Sequence, residues 1–153
     1  MSQSEQTLPL FFKRVLLTVD ADDTDSTKHA FRFAVTYAKD NGISLGIVSV
    51  MEMEDINIYD SLSPDRLQKK REAVEEVVKH YADLAKQYGV KSVKSLIGEG
   101  GDVDDVVLDQ IIPEFHPDLV VCGADMVDAR HKSGKTIGLH LAKRASTSVI
   151  VVR

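Results

Sequence analysis

Two stretches of this chain bring together residues whose types and spacing could do chemistry. The run Ala129-Arg130-His131-Lys132-Ser133-Gly134-Lys135-Thr136 is one residue from a Gly-x-x-x-x-Gly-Lys-Thr phosphate loop, with Ala129 where the first glycine belongs. It also follows its strand only after a long connection, which argues against a P-loop nucleotidase. Arg130, His131, Lys132 and Lys135 nonetheless concentrate positive charge where a helix begins, and unpaired N–H groups there favour an anion such as phosphate. The plainer reading of the same cluster is a solvated charged loop. The second stretch is Asp20-Ala21-Asp22-Asp23-Thr24-Asp25-Ser26. As a calcium loop it fails, because glycine is missing from the sixth position and Phe31 holds the twelfth, where a bidentate Glu is needed. Asp22, Asp23 and Asp25 suit the positive end of a following helix. Asp20 differs: it closes a strand and is expected to point into the crevice above it.

Catalytic constellations are scarce. No Gly-x-Ser-x-Gly elbow and no His-Glu-x-x-His helix is present, and no two of the five histidines stand at a metal-ligand spacing. No dedicated acid–base pair emerges, so neither a catalytic residue nor a metal ligand is assigned. Cys122, the one cysteine, cannot form an internal disulfide or a Cys-rich zinc site and is expected to be packed.

The elements that must hold these residues alternate. Arg14–Val19 is an almost continuous apolar run, as befits a strand covered on both faces. A helix follows from about Ser26 to Lys39, closed by Asn41-Gly42. A strand covers Leu45 to Met51. After the acidic stretch from Glu52 to Ser63, Pro64 opens a helix that runs to about Tyr88. A third strand spans roughly Lys91 to Ile97. Gly98-Glu99-Gly100-Gly101 reads as a loop, and a short helix from about Val103 to Ile112 is ended by Pro113. Asp118–Cys122 is a fourth strand, about Lys135 to Ala145 a fourth helix, and Ser148–Val152 a last strand. This order predicts an α/β, doubly wound, five-stranded parallel sheet with helices on both faces. Ligands in such folds sit outside the carboxyl ends of the strands. The turn after the first strand contains no glycine, which excludes a dehydrogenase-type dinucleotide site. A phosphoacceptor receiver domain is excluded too: its Asp after strand three and Lys after strand five have no counterparts here.

At 153 residues the chain suits one domain (13–153) behind a flexible tail (1–12). Lys and Arg number 19 against 24 Asp and Glu, a net charge of −5, which argues against a general nucleic-acid binder. No apolar run approaches the ~18 residues of a membrane span, and the start lacks the basic segment of a secretory signal. No membrane association and a cytoplasmic location are expected.

Several segments together resemble the universal stress protein family. Val15-Leu16-Leu17-Thr18-Val19-Asp20, followed by a Ser-containing turn, is similar to its opening strand. Ser49-Val50-Met51-Glu52 is similar to its His-Val-Val-Glu, Gly101-Asp102-Val103 to its Gly-Asp-Pro, and Asp118-Leu119-Val120-Val121-Cys122-Gly123 to its Asp-Leu-Ile-Val-Met-Gly. Ser148–Arg153 resembles its Pro-Val-Leu-Val-Val ending. The resemblance implies strand order 3-2-1-4-5 and a homodimer built through Ser148–Val152, whose unpaired apolar edge would accept a partner strand. One branch of that family binds ATP through Gly-x-x-Gly, nine residues, then Gly-Ser or Gly-Thr. Gly123 matches the first glycine and Met126 replaces the second. With the spacer one residue shorter than nine, Lys135 falls where the third belongs, with Gly134 one position away, and Thr136 matches the Ser/Thr. By this likeness Asp20 would contact ribose, Val50 adenine, and Thr136 and Ile137 the phosphates. Thr18, Val19, Gly101, Cys122, Asp125 and Ser133 complete the implied site, and Mg²⁺ would bridge the phosphates. Three functions follow as expectations: a dimeric, ATP-binding stress-response regulator; a nucleotide-independent dimeric interaction protein; or an enzyme acting at the α-phosphate, for which catalytic groups are lacking.

Overall fold

The computed structural model describes residues 7–20, 24–53, 63–126 and 136–153. Strands β1 (Arg14–Thr18), β2 (Ser44–Glu52), β3 (Val93–Gly100), β4 (Leu119–Gly123) and β5 (Ser148–Val152) form one all-parallel sheet in the order β3-β2-β1-β4-β5. Helices α1 (Asp25–Asn41) and α2 (Pro64–Gln87) cover one face. Helices α3 (103–115) and α4 (Ile137–Arg144) cover the other.

Alternation along the central strands feeds both layers. Val15, Leu17 and Val121 face α1 and α2, whereas Leu16, Val48 and Val120 face α3 and α4, all fully or almost fully buried. This accounts for the unbroken apolar runs of β1 and β4, since each residue finds a covered face. The carboxylate of Asp118 accepts the backbone N–H groups of Lys13 and Arg14, at 2.8 Å and 2.9 Å, and so fixes the β1–β4 junction at its lower end. Thr24 caps α1 by accepting the N–H of Thr27 at 3.2 Å, and Asp25 lies in the first turn as the helix dipole favours. Gly42 ends that helix at φ 64°, the left-handed conformation expected of Asn-Gly here.

Two boundaries differ from the sequence expectation. The Gly98–Gly101 stretch is not a loop through its length, because β3 continues to Gly100. A Cβ at either Gly98 or Gly100 would lie 2.5 Å from a methyl of Val106, so these glycines let α3 seat closely on the strand. Pro113 does not end α3 either. The helix passes from Val103–Val106 through a π-helical turn, Val107–Ile111, into Ile112–Phe115. The N–H of Ile112 reaches back to the carbonyl of Val107, and this widened turn displaces the carbonyl a proline ring would otherwise strike. The extra turn delivers Phe115 into the core against Gly46, with the Arg14 guanidinium 4.2 Å above its ring.

Candidate functional site

The sheet reverses its order of travel at β1, between β2 and β4, and Thr18, Val19, Asp20, Val50, Gly123 and Met126 lie on or just beyond the strands that meet there. Thr18 lies level with Val48; two residues beyond that pairing stand Asp20 and Val50, both half-buried. The Oδ1 of Asp20 is shielded from water, as is the Oε1 of Glu52 at the end of β2. Val19 is wholly buried in the α1 layer and donates its N–H to the carbonyl of Val48 at 2.9 Å. Its backbone, not its side chain, borders the crevice.

Beyond β4 the chain makes a tight turn in which the N–H of Met126 meets the carbonyl of Gly123 at 3.3 Å. This turn is clamped onto the start of α1. The N–H of Asp125 donates to Ser26 Oγ at 2.9 Å, while the Asp125 side chain is exposed. A Cβ on Gly123 would lie 2.7 Å from Ser26 Oγ and 2.8 Å from the backbone of Ser26 and Thr27. The glycine therefore has a packing reason of its own, independent of any phosphate. Ser26 is the residue the sequence left without a role: it ties the β4 turn to α1 from a buried position.

Met126 is 3 % exposed, packed in the α3–α4 layer with its Sδ 3.4 Å from the Thr18 hydroxyl. Its side chain thus sits beneath the crevice floor beside β1. Its carbonyl accepts the N–H of Ile137 at 3.1 Å, so the connection from β4 to α4 leaves and returns at one point. Ser133, Gly134 and Lys135, together with Arg130, His131 and Lys132, belong to that connection and lie outside the described residues, as do Asp22 and Asp23. At its return, half-buried Thr136 stands at the N-cap of α4 and makes no side-chain cap bond, which leaves its hydroxyl uncommitted to the helix. Ile137 itself is buried in the core.

Cys122 is wholly buried. Its sulfur occupies the room a side chain at Gly138 would need, at 2.8 Å from a Cβ placed there. Burial pushes its thiol up to about 12, so it stays neutral and unreactive as a nucleophile. Gly101, half-buried, lies between β3 and α3. Near it, Asp104 is held by Arg144 at 2.9 Å, and Arg144 also reaches Asp105, joining the two helices of this face. Among the described residues no cluster of three or more His, Cys, Asp or Glu could hold a metal, and no helix is long and apolar enough to cross a membrane.

A five-stranded parallel sheet with its polar rim at the β1–β4 switch defines a doubly wound α/β domain of the kind that binds ligands at its strand ends. The profile of the universal stress protein family matches residues 11–153, and the chain belongs to that family. A universal-stress-protein relative from Staphylococcus haemolyticus is 28 % identical over 146 residues, covering 94 % of this chain and 86 % of its own length. Among solved structures, universal stress protein UspA from Lactobacillus plantarum superposes with a TM-score of 0.77 at 19 % identity, covering 95 % of this chain and 100 % of the other. A universal stress protein in complex with cAMP matches at 0.67 and 20 % identity, over 94 % of this chain and 99 % of its own. One from Archaeoglobus fulgidus in complex with dAMP matches at 0.61 and 15 %, over 94 % and 100 %. The observed order β3-β2-β1-β4-β5 bears out the one implied by the sequence resemblance, and these structures share the fold.

Proposed function

We propose that this chain is a small cytoplasmic stress-response module that binds an adenine nucleotide, ATP with Mg²⁺ on its phosphates, at the rim between β1 and β4. The observation that carries the reading is the Ile137–Met126 hydrogen bond. It makes the basic, glycine-containing connection begin and end at one point beside Thr18, with Thr136 and the first turn of α4 at its root. Relatives of the same fold in complex with cAMP and dAMP support an adenine nucleotide as the ligand class.

The residues present suit that ligand. Asp20 would accept from ribose hydroxyls and Val50 would flank the base. Thr136 and the N–H groups of the first turn of α4 would face phosphate, where the helix dipole favours negative charge. Lys135 would add a charge-assisted hydrogen bond in place of contacts a glycine would allow. The bound nucleotide supplies a polyphosphate and its chelated cation. The chain supplies a binding surface whose occupancy is read by partners, and no residue is assigned to hydrolysis.

Homodimerisation through β5 belongs to the same proposal. This strand is a sheet edge, and Val151 on it is 42 % exposed. Sedimentation should show a dimer that Val151→Asp weakens at least tenfold. A wild-type monomer at high micromolar concentration contradicts this.

One observation favours a second reading, a nucleotide-independent interaction protein. The buried Met126 side chain, against Thr18, takes space that a second glycine would leave open. Thermal unfolding separates the two. Nucleotide at one hundred times its Kd adds about 2.7 kcal/mol, or roughly 5–10 °C in Tm for a chain of this size. An unchanged Tm with millimolar ATP, AMP and cAMP selects the second reading.

A further inference from the structure

A cavity of about 590 Å³ lies on the opposite side of the molecule from Met126 and α4, between α1 and α2. That volume falls in the range of small-molecule sites. Its floor is built of rings. Phe31 and Tyr81 meet with centroids 5.1 Å apart and planes tilted by 52°, and Phe31 and Tyr88 with centroids 6.4 Å apart and planes tilted by 57°. Val35 and Leu84 extend the apolar surface. Tyr88 is 57 % exposed, so one ring of this set still faces water.

The rim carries a charge pattern that the floor does not explain. Along α1, Lys28, Arg32, Thr36 and Asp40 repeat every fourth residue and so form one row beside the cavity. Lys28 and Arg32 are like charges one turn apart, an arrangement that disfavours an isolated helix. Lys39 stands a further two turns along on the neighbouring row, its stem beside Gly89. In a chain of net charge −5, one groove has gathered three cations against the single carboxylate of Asp40. Among the described residues neither Arg32 nor Lys39 has an ion-pair partner.

We propose that this groove is a second ligand site, for an aromatic carboxylic acid, with its ring system on Phe31, Tyr81 and Tyr88 and its carboxylate on Arg32. Aromatic rings in tilted contact accept a further ring edge-on or offset. The guanidinium matches a carboxylate in two parallel hydrogen bonds. Asp40, at the far end of the row, favours a hydroxyl or amine on the distal end of the ligand. The site is separate from the strand-end crevice, and neither proposal depends on the other.

The test is titration of the full chain with 1-naphthaleneacetate and with its neutral isostere 1-naphthaleneacetamide. The acid should bind saturably at one site per chain and at least tenfold more tightly than the amide. Arg32→Glu should remove that preference without altering Tm, and Tyr88→Ala should weaken both ligands. Millimolar ATP should not displace the acid. Equal affinities for acid and amide, an unchanged preference in Arg32→Glu, displacement by ATP, or absence of saturable binding would each overturn the proposal. So would a change of oligomeric state on Tyr88→Ala, which would make the groove a face between two copies.

Discussion

Replacing Met126 with glycine is expected to loosen the fold and tighten nucleotide binding in the same molecule. The side chain is 3 % exposed and packed beside Thr18 in the α3–α4 layer. Removing a buried methionine costs about 2–5 kcal/mol through lost burial and the cavity left behind. Glycine in the turn also restores the small residue that lets backbone approach a phosphate. Urea unfolding should therefore show a loss near 3 kcal/mol, while the Kd for ATP falls at least tenfold. Met126→Leu separates the two effects. As a volume-conserving exchange it should cost less than about 1.5 kcal/mol and leave the Kd unchanged. A Met126→Gly variant that binds ATP no better than wild type would show that this side chain does not limit the crevice.

A second large effect is expected at Gly123. An alanine there would place its Cβ 2.7 Å from Ser26 Oγ and 2.8 Å from the carbonyl carbon of Ser26 and the amide nitrogen of Thr27. Overpacking usually costs about 1–3 kcal/mol, and backbone atoms yield less than side-chain ends. Gly123→Ala should reach the upper part of that range and displace the start of α1. Nucleotide affinity should fall with it, because Asp20 lies between β1 and this helix end. Adding Ser26→Ala removes one obstructing atom and leaves the two backbone ones, so the double variant should recover only a minor part of the stability. Full recovery would locate the clash in the hydroxyl alone.

These two residues show what was and was not legible in the sequence. Gly123 and Met126 stood, by the family resemblance, at positions expected of a phosphate-binding motif. Their packing roles were hidden, because Ser26 and Thr18 approach them from elements about a hundred residues away in the chain. The strands were legible for a physical reason: β1 and β4 are covered on both faces, and their uninterrupted apolar runs show it. Gly42 and Pro64 mark helix ends through backbone preference, which a sequence displays directly, whereas the Thr24 cap of α1 emerged only in the structure. Gly98, Gly100 and Pro113 misled because their usual local meaning is a loop or a stop. Here two glycines admit Val106, and a π-helical turn carries the proline. The groove between α1 and α2 had no local signature at all. Its rings and cations meet only when two helices separated by a strand and a long connection pack side by side.

The proposed function requires the rim between Asp20 and Thr136 to hold an adenine nucleotide despite Met126. Equilibrium dialysis of labelled ATP with Mg²⁺ against the wild-type chain and its Asp20→Ala variant tests it most directly. The expected result is saturation at one nucleotide per chain, weakened at least tenfold in Asp20→Ala. No retention by the wild type at millimolar nucleotide, or equal retention by both proteins, would contradict it.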